Sequence, residues 1–408
     1  MRILQVNACY PNGSTGTLAR DIHRYLLDAG HGSFIASPAF RTAREPNFYT
    51  IGTPLTQKIH TLEERVTGYQ AHGSRSATKK LCAYIDRIAP DVVHLHNVHS
   101  HYLSLPILLD FIANRNGALC LTLHDCWFYT GGCVHYTQSG CGKWRTGCGG
   151  CPRGYYGIKT WFFNRSSQAA HRRRDLFARI GRLGVVGVSD WVLNEAKQSF
   201  VFRDHPTVRW KRIYNWVDGT LFKPTDADGL RKRLNMAPGD KMILGVAPYW
   251  TGRKGLDTFL AIAPLLNRNE KIVLAGTEPK RELPGNIAAV GRVDPARLPE
   301  YYSAADIVLQ TSKEETFGKV TAESLLCGTP AIVYRTTGNA ELVSPGSVYG
   351  VSGDAGAGEI VELVRRVTAG AKPAERIRRE ALERFDPQAA LGGYAEVYWG
   401  LGSLGGVF

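Results

Sequence analysis

The stretch Glu315-Thr-Phe-Gly-Lys-Val-Thr-Ala-Glu323, followed at once by Ser-Leu-Leu-Cys-Gly-Thr-Pro330, decides the fold and points at a ligand. It comes after Ala305-Asp-Ile-Val-Leu-Gln310, a short apolar run between polar residues. That pattern predicts a buried strand of a parallel sheet, with a helix from Gly318 to Leu326 behind it. Glu315 then falls in the strand-to-helix loop at the carboxyl edge of the sheet, where open α/β folds bind ligands. Glu323 lies about two turns along the helix, and the amides near Phe317, Gly318, Lys319 and Val320 are placed to face an anion. Two hydroxyl-binding carboxylates around a phosphate-binding helix start suit a nucleotide sugar. On these residues alone a solvated helix carrying two glutamates is an open alternative, because helices carry Glu freely.

The same alternation continues on both sides. Strands are expected at Met242–Val246, Ile272–Ala275, Ile307–Gln310 and Ala331–Tyr334, with helices at Leu256–Leu266, Leu298–Ser303 and from Gly318. The first half opens with the buried-strand pattern Arg2-Ile-Leu-Gln-Val6, the turn Pro11-Asn-Gly-Ser-Thr-Gly16, and an amphipathic helix through Ile22, Leu26 and Leu27 that ends at Gly30. Further strands are expected at Val92–Leu95, Ala118–Leu123 and Val185–Val188, after which Ser189 caps a helix. A chain of 408 residues exceeds the usual size of one core. The fold class is therefore α/β, as two Rossmann-like domains, each with a parallel sheet covered on both faces.

Several segments together carry a family resemblance. Gly245-Val-Ala-Pro-Tyr-Trp-Thr-Gly-Arg-Lys-Gly255 has the look of a diphosphate-binding loop and Asn215-Trp-Val-Asp-Gly-Thr-Leu-Phe-Lys-Pro224 of an interdomain segment. Val290-Gly-Arg-Val, Leu298-Pro-Glu-Tyr-Tyr-Ser-Ala-Ala-Asp306 and Gly338-Asn-Ala-Glu-Leu-Val343 complete the set around the glutamate pair. Taken with that pair, they make the chain resemble retaining glycosyltransferases of the GT-B fold, glycosyltransferase family 4, over nearly its whole length and least in residues 40–80 and 130–180.

The resemblance implies an acceptor-binding domain over residues 1–205 and a nucleotide-sugar-binding domain over 206–386, with their sheets facing across a cleft. A final helix at about 387–408 is expected to pack back on the first domain. Arg203-Asp-His-Pro206 breaks the pattern near the boundary. The implied activity is transfer of a hexose-type sugar from a UDP- or GDP-linked donor to a glycan or glycolipid acceptor, in bacterial polysaccharide or glycoconjugate biosynthesis. By the same resemblance Glu315 binds hydroxyls of the transferred sugar, Glu323 grips the ribose, Gly13 and Gly16 approach the donor phosphates, and His124 contacts the donor sugar.

Arg253 and Lys254 are expected to neutralise the diphosphate, so that catalysis requires no metal or other cofactor. The family pattern carries an arginine about six residues before that lysine. Pro248 stands there in this chain, which leaves Arg253 to fill the role. A sugar-nucleotide epimerase, a phosphorylase-like enzyme or a non-catalytic carbohydrate-binding protein is the alternative on the same fold.

Composition bounds the partners. The formal net charge of +14 calls for an acidic partner. Arg165, Arg172, Arg173, Arg174, Arg179 and Arg182 concentrate it in a helical-looking stretch, residues 165–183, which is either a solvated basic face or a peripheral membrane contact. No recognition-helix or RNA-binding signature accompanies the charge, so nucleic acid is not expected. No apolar run reaches the roughly 18 residues of a spanning helix. The apolar start Met1–Val6 meets Asn7 too soon for a signal peptide, and a cytoplasmic location, peripheral to the inner membrane face, is expected.

Histidines and cysteines supply the remaining candidates. His124 closes a buried-type strand and is expected to titrate near working pH. His94, His96, His99 and His101 read as a strand end lining the acceptor side, because no carboxylate or cysteine sits with them at ligand spacing. Cys133, Cys141, Cys148 and Cys151 lie in a glycine-rich stretch whose Cys148-Gly-Gly-Cys151 pair has knuckle spacing. They are expected either to hold a structural zinc ion or to stand as free thiols, with Cys126 spare.

Overall fold

The structure, a computed structural model, describes residues 1–38, 47–151, 160–279 and 281–402. Its contacts divide the chain into two units, Met1–Tyr214 together with the chain from Gln388, and Asn215–Pro387.

The first unit carries β1 (Arg2–Val6), α1 (Ser14–Asp28), β2 (Gly32–Pro38), β3 (Phe48–Ile51), α2 (Pro54–Thr67), α3 (Arg75–Ile88), β4 (Val92–Leu95), α4 (Leu105–Asn114), β5 (Ala118–Leu123), α5 (Ser166–Ala178), β6 (Arg182–Gly187), α6 (Asp190–Gln198) and β7 (Val208–Arg212). Its seven strands are all parallel, in the order β3-β2-β1-β4-β5-β6-β7. Every residue of β5 is buried, as a continuous apolar run covered on both faces must be. The strand order turns back between β1 and β4, which leaves a crevice beyond their carboxyl ends.

The second unit repeats the plan with α7 (Asp228–Arg233), β8 (Lys241–Tyr249), α8 (Leu256–Ile262), β9 (Glu270–Thr277), β10 (Ile287–Ala289), α9 (Leu298–Ala304), β11 (Ile307–Gln310), α10 (Lys319–Leu326), β12 (Ala331–Tyr334), β13 (Val348–Val351), α11 (Ala357–Thr368) and α12 (Ala374–Arg384). Six parallel strands run in the order β10-β9-β8-β11-β12-β13, so here the reversal lies between β8 and β11. Ile243, Phe259, Ile272, Leu274, Ile307, Ile332 and Val364 are wholly buried in its core. The helix expected to reach Leu266 stops at Ile262. Pro264 has no amide hydrogen to continue it, and Ala263–Leu265 forms a 3-10 turn instead.

Helix α13 (Pro387–Gly402) returns the chain to the first unit. The last residues of the expected 387–408 helix, 403–408, lie outside the described residues. Its attachment is polar as well as apolar. Tyr398 Oη lies 2.7 Å from His94 Nδ1, His94 Nε2 lies 2.8 Å from Thr122 Oγ1, and Thr122 Oγ1 lies 3.1 Å from Tyr394 Oη, all buried. Both ring nitrogens of His94 find their partners in this series, so removing either hydroxyl beside them orphans one of the nitrogens. Among the described residues no helix is long and apolar enough to cross a membrane.

Replacing Tyr398 by Phe should leave His94 Nδ1 unpaired in the interior and cost about 1–3 kcal/mol. Denaturant melts should show the loss; a variant as stable as the parent would mean that α13 is held by apolar packing alone.

Candidate active site

In the second unit the loops that leave β8 and β11 flank the strand reversal, and they carry the expected residues. Gly252–Lys254 is a 3-10 turn ahead of α8. Lys254 Nζ lies 2.5 Å from Glu315 Oε1 in the next loop, with both side chains mostly buried. Gln310 Nε2 donates to the same carboxylate oxygen at 3.4 Å. The Glu315 backbone is fixed on both sides, its amide donating to Thr337 Oγ1 at 3.0 Å and its carbonyl accepting from the Gly338 amide at 2.8 Å. Arg253 donates to Tyr249 Oη at 3.2 Å, and its carbonyl accepts from the Lys313 amide at 3.1 Å. The structure therefore brings Lys254 and Glu315 into contact and sets Arg253 on the same turn.

Two glycines make this packing possible. Gly255 has φ +83°, and a side chain there would meet Thr311 Oγ1 at 2.1 Å, so the β8 turn can close on the β11 loop only with glycine. Gly318 begins α10 at φ +96°, where a side chain would meet Asn339 Oδ1 at 2.4 Å. No side chain caps that helix, so its first amides are directed at whatever occupies the loop. Lys319 and Val320 are the first helical residues, with Phe317 buried just before them.

Glu323 lies further along α10. Its Oε2 accepts from Tyr302 Oη at 2.7 Å, and its Oε1 lies 3.9 Å from Lys319 Nζ. Burial raises its pKa, opposed by the Lys319 charge and the tyrosine hydrogen bond. A buried carboxylate with one oxygen committed to a phenol and the other beside a cation is built to accept hydrogen bonds. One further acidic pattern lies elsewhere. Asp226-Ala-Asp228 is an Asp-x-Asp run, but the preceding Thr225 donates its amide to Ser303 Oγ at 3.0 Å, and Ser303 belongs to the helix entering β11. It stands at the amino edge of the sheet, away from the carboxyl-edge loops.

In the first unit the loops after β1 and β4 are tied together by the Ala8 amide, which donates to the Asn97 carbonyl at 3.0 Å. Asn7 Nδ2 reaches the Thr15 carbonyl at 3.1 Å, which positions the Gly13–Gly16 turn over the end of β1. Beside these loops a hydrogen-bond chain fixes the state of His124. Gln5 Nε2 donates to the Ala19 carbonyl at 3.1 Å, so Gln5 Oε1 faces His96 Nε2, 3.1 Å away, and must accept from it. His96 Nδ1 is then an acceptor. His124 Nε2, 2.9 Å from it, must carry the proton. His124 is thus presented with Nδ1 as its acceptor nitrogen. Burial lowers its pKa to about 4 against the opposing Asp125 charge. It stays neutral at working pH, contrary to the expectation that it titrates there.

The other histidines find the carboxylates that sequence spacing did not reveal. His99 Nε2 lies 2.9 Å from Asp125 Oδ2, and His101 Nδ1 lies 2.9 Å from Glu64 Oε2 on α2. For His99, burial disfavours the charged ring, but the Asp125 charge and hydrogen bond outweigh it and the pKa is raised. Among the described residues, the one set of three or more metal-capable ligand atoms within 4.8 Å of one another is His60, Glu64 and His101. The tautomer of His60 argues against a metal. Its Nε2 accepts from the Gly73 amide at 3.2 Å, which puts the proton on Nδ1 facing Ser74 Oγ at 3.0 Å and leaves no lone pair for an ion.

The cysteines also interact with one another and with nearby polar groups. Cys148 Sγ accepts from the Gly131 amide at 3.1 Å, and Cys151 Sγ lies 3.4 Å from Ser166 Oγ. A hydrogen bond from Cys133 is the main influence holding the Cys151 thiol down at about 5. Cys141 acts on Cys133 and Cys148 through its charge. No three of these sulfurs lie within 4.8 Å of one another.

The basic stretch is also differently disposed from the sequence reading. Arg173 is buried, its guanidinium 3.6 Å from the centre of the Trp127 ring and donating to the Trp127 carbonyl at 2.8 Å. Arg174 pairs with Asp204, Arg179 with Asp110, and Arg182 donates to the Leu401 carbonyl at 3.1 Å. Much of this charge ties elements of the unit together instead of forming one solvated face.

Comparison with known proteins adds the following. Residues 226–384 match the family described as glycosyl transferases group 1. The "Probable transglycosylase BTH_I0986" of Burkholderia thailandensis is 31% identical over 254 residues, covering 60% of this chain and 67% of that protein. N-acetyl-alpha-D-glucosaminyl L-malate synthase of Bacillus anthracis is 22% identical over 230 residues, covering 53% of this chain and 59% of that protein. This chain therefore spans about three fifths of the length of the Bacillus relative. The structure of Anabaena Alr3699/HepE in complex with UDP superposes with a TM-score of 0.65 at 18% identity, covering 97% of this chain and 99% of that one. The two Rossmann-like units are those of the GT-B fold.

The neutral histidines make the first unit acid-sensitive. Burial lowers His60, His72 and His124 to about 4, and His94 and His96 well below the ordinary value. Unfolded histidines take up protons below about pH 6.5, whereas His60, His72 and His124 do not until near pH 4 while folded and His94 and His96 only well below the ordinary value. Stability should therefore fall as pH drops from about 6.5 towards 4, offset only by His99, whose raised pKa favours the folded state in acid. Melting temperatures across that range test this; no loss between pH 7 and 5 would contradict it.

Proposed function

This chain belongs to the group 1 glycosyl transferases, and we propose that it transfers a hexose-type sugar from a nucleoside-diphosphate donor to a glycan or lipid-linked acceptor with retention of configuration. The observation that carries this reading is the contact of Lys254 with Glu315 beside the uncapped start of α10, at the strand reversal of the second unit. A cation, a row of amides and a fixed carboxylate suit a diphosphate joined to a polyhydroxylated ring.

The residues divide the work as follows. Lys254 and Arg253 neutralise the diphosphate and stabilise the charge that grows on the leaving phosphate, while the amides of Lys319 and Val320 bind its oxygens. Glu315 holds hydroxyls of the transferred sugar, and Glu323, braced by Tyr302, accepts from the ribose. His124, neutral and held by His96, offers Nδ1 to a sugar hydroxyl. As the bond from the anomeric carbon to the phosphate oxygen breaks, the acceptor oxygen bonds to the same face of that carbon. The departing phosphate oxygen takes the acceptor's proton. Positioning and electrostatics supply the acceleration, and no protein nucleophile is needed. A uridine nucleotide is the first donor to try, given the UDP complex of the fold relative. Bacterial polysaccharide or glycoconjugate synthesis is the proposed setting.

Lys254→Ala and Glu315→Ala should each lower turnover at least about tenfold, roughly 1.4 kcal/mol of transition-state stabilisation, whereas Glu323→Ala should chiefly weaken nucleotide binding measured by calorimetry. Full turnover in both of the first two variants would sink these assignments.

Donor turnover should also survive EDTA, because cations and amides of the chain already neutralise the diphosphate. Activity abolished by EDTA in folded protein and restored by magnesium or manganese would overturn the metal-independent mechanism.

A further inference from the structure

Helix α2 is built with its polarity reversed. The residues it buries against the first unit are His60 and Glu64, one turn apart. His60 is bound to Gly73 and Ser74, and Glu64 Oε2 lies 2.9 Å from His101 Nδ1. On the outside stand Leu55, Ile59, Leu62 and Val66, exposed by 66%, 50%, 53% and 38%. Their spacings of four, three and four residues place them in a single stripe. A surface helix normally turns the other way, with its apolar stripe inward.

The stripe is widened by a second segment. The Trp161 amide donates to the Arg65 carbonyl at 2.7 Å, which docks the Trp161-Phe-Phe163 turn at the carboxyl end of α2. The Phe163 carbonyl packs so closely on Gly68 that a side chain there would meet it at 2.1 Å. All three aromatic side chains are about half exposed. Seven large apolar groups are thus exposed on α2 and on the turn docked at its carboxyl end, more than the surface of a monomer in water ordinarily presents in one region.

Cations frame this patch. Lys58 and Arg65 are exposed on α2 against one exposed acid, Glu63. The Arg65 guanidinium lies 5.7 Å from the Trp161 ring centre, and that of Arg165 lies 5.0 Å from the Phe163 ring centre. Leucine, isoleucine and aromatic side chains backed by Arg and Lys match the boundary between acyl chains and headgroups. The cations match negative headgroups, and the whole chain carries +14.

We propose that α2 and the Trp161–Phe163 turn dock this protein on an anionic lipid bilayer, the apolar stripe entering the acyl boundary and Lys58, Arg65 and Arg165 meeting the headgroups. The docking surface shares only Arg165, at the start of α5, with the basic stretch, and it stands on the inverted helix whatever reaction the second unit performs. It would hold the first unit at the surface where a lipid-linked acceptor resides.

Co-sedimentation of the full chain with vesicles tests this. Wild-type protein should bind vesicles of phosphatidylcholine with phosphatidylglycerol, bind phosphatidylcholine alone far less, and release as salt rises. Ile59→Ser with Leu62→Ser, and separately Phe162→Ser, should weaken binding at least about tenfold. These positions are exposed, so the melting temperature should not fall. Failure of the wild type to bind anionic vesicles would overturn the proposal, as would equal binding by the variants. A dimer in light scattering that the Ile59→Ser, Leu62→Ser variant abolishes, without vesicle binding, would assign the patch to a second copy of the chain and equally overturn it.

Discussion

Parallel strands can be joined only by crossovers that return the chain to the same edge of the sheet, and this constraint governs the molecule. It sends every strand-to-helix loop to the carboxyl edge, and where strand order turns back it leaves room between two of those loops. In the second unit the reversal falls between β8 and β11. Lys254 follows the first strand and Glu315 the second, so their contact is a consequence of topology before it is a matter of chemistry. Gly255 and Gly318 then allow the two loops to approach as closely as they do.

The first unit uses the same edge differently. Its loops carry histidines, and the hydrogen-bonding sense of His96 and His124 is fixed by a chain of partners. A backbone carbonyl orients Gln5, Gln5 orients His96, and His96 decides which nitrogen of His124 bears the proton. Burial keeps these rings neutral, so the edge offers hydrogen bonds without net charge. The charge it does hold is paired, His99 with Asp125.

The inner strands of both sheets were legible because runs such as Ala118–Leu123 and Ile307–Gln310 are apolar throughout, and the loop residues followed from where those strands end; β2, β3, β7, β10 and β13 were not, being polar like Val208–Arg212 or as short as Ile287–Ala289. Partners distant in sequence were not legible. Glu64 lies on a helix well before His101, and no spacing rule joins them. The orientation of α2 was equally hidden, since periodicity shows that a helix has an apolar face without showing which face is inside. Arg173 reads as one more surface cation until Trp127 and its carbonyl are seen to enclose it. Pro264 was visible in the sequence and should have ended α8 in advance.

The central claim is that the strand reversal of the second unit binds a nucleoside diphosphate. A crystal structure of the full chain soaked with UDP tests it most directly. The account predicts the diphosphate against Lys254 and the amides of Lys319 and Val320, with the ribose on Glu323. UDP bound at another place, with the Lys254 to Glu315 contact undisturbed and α10 bare, would contradict it.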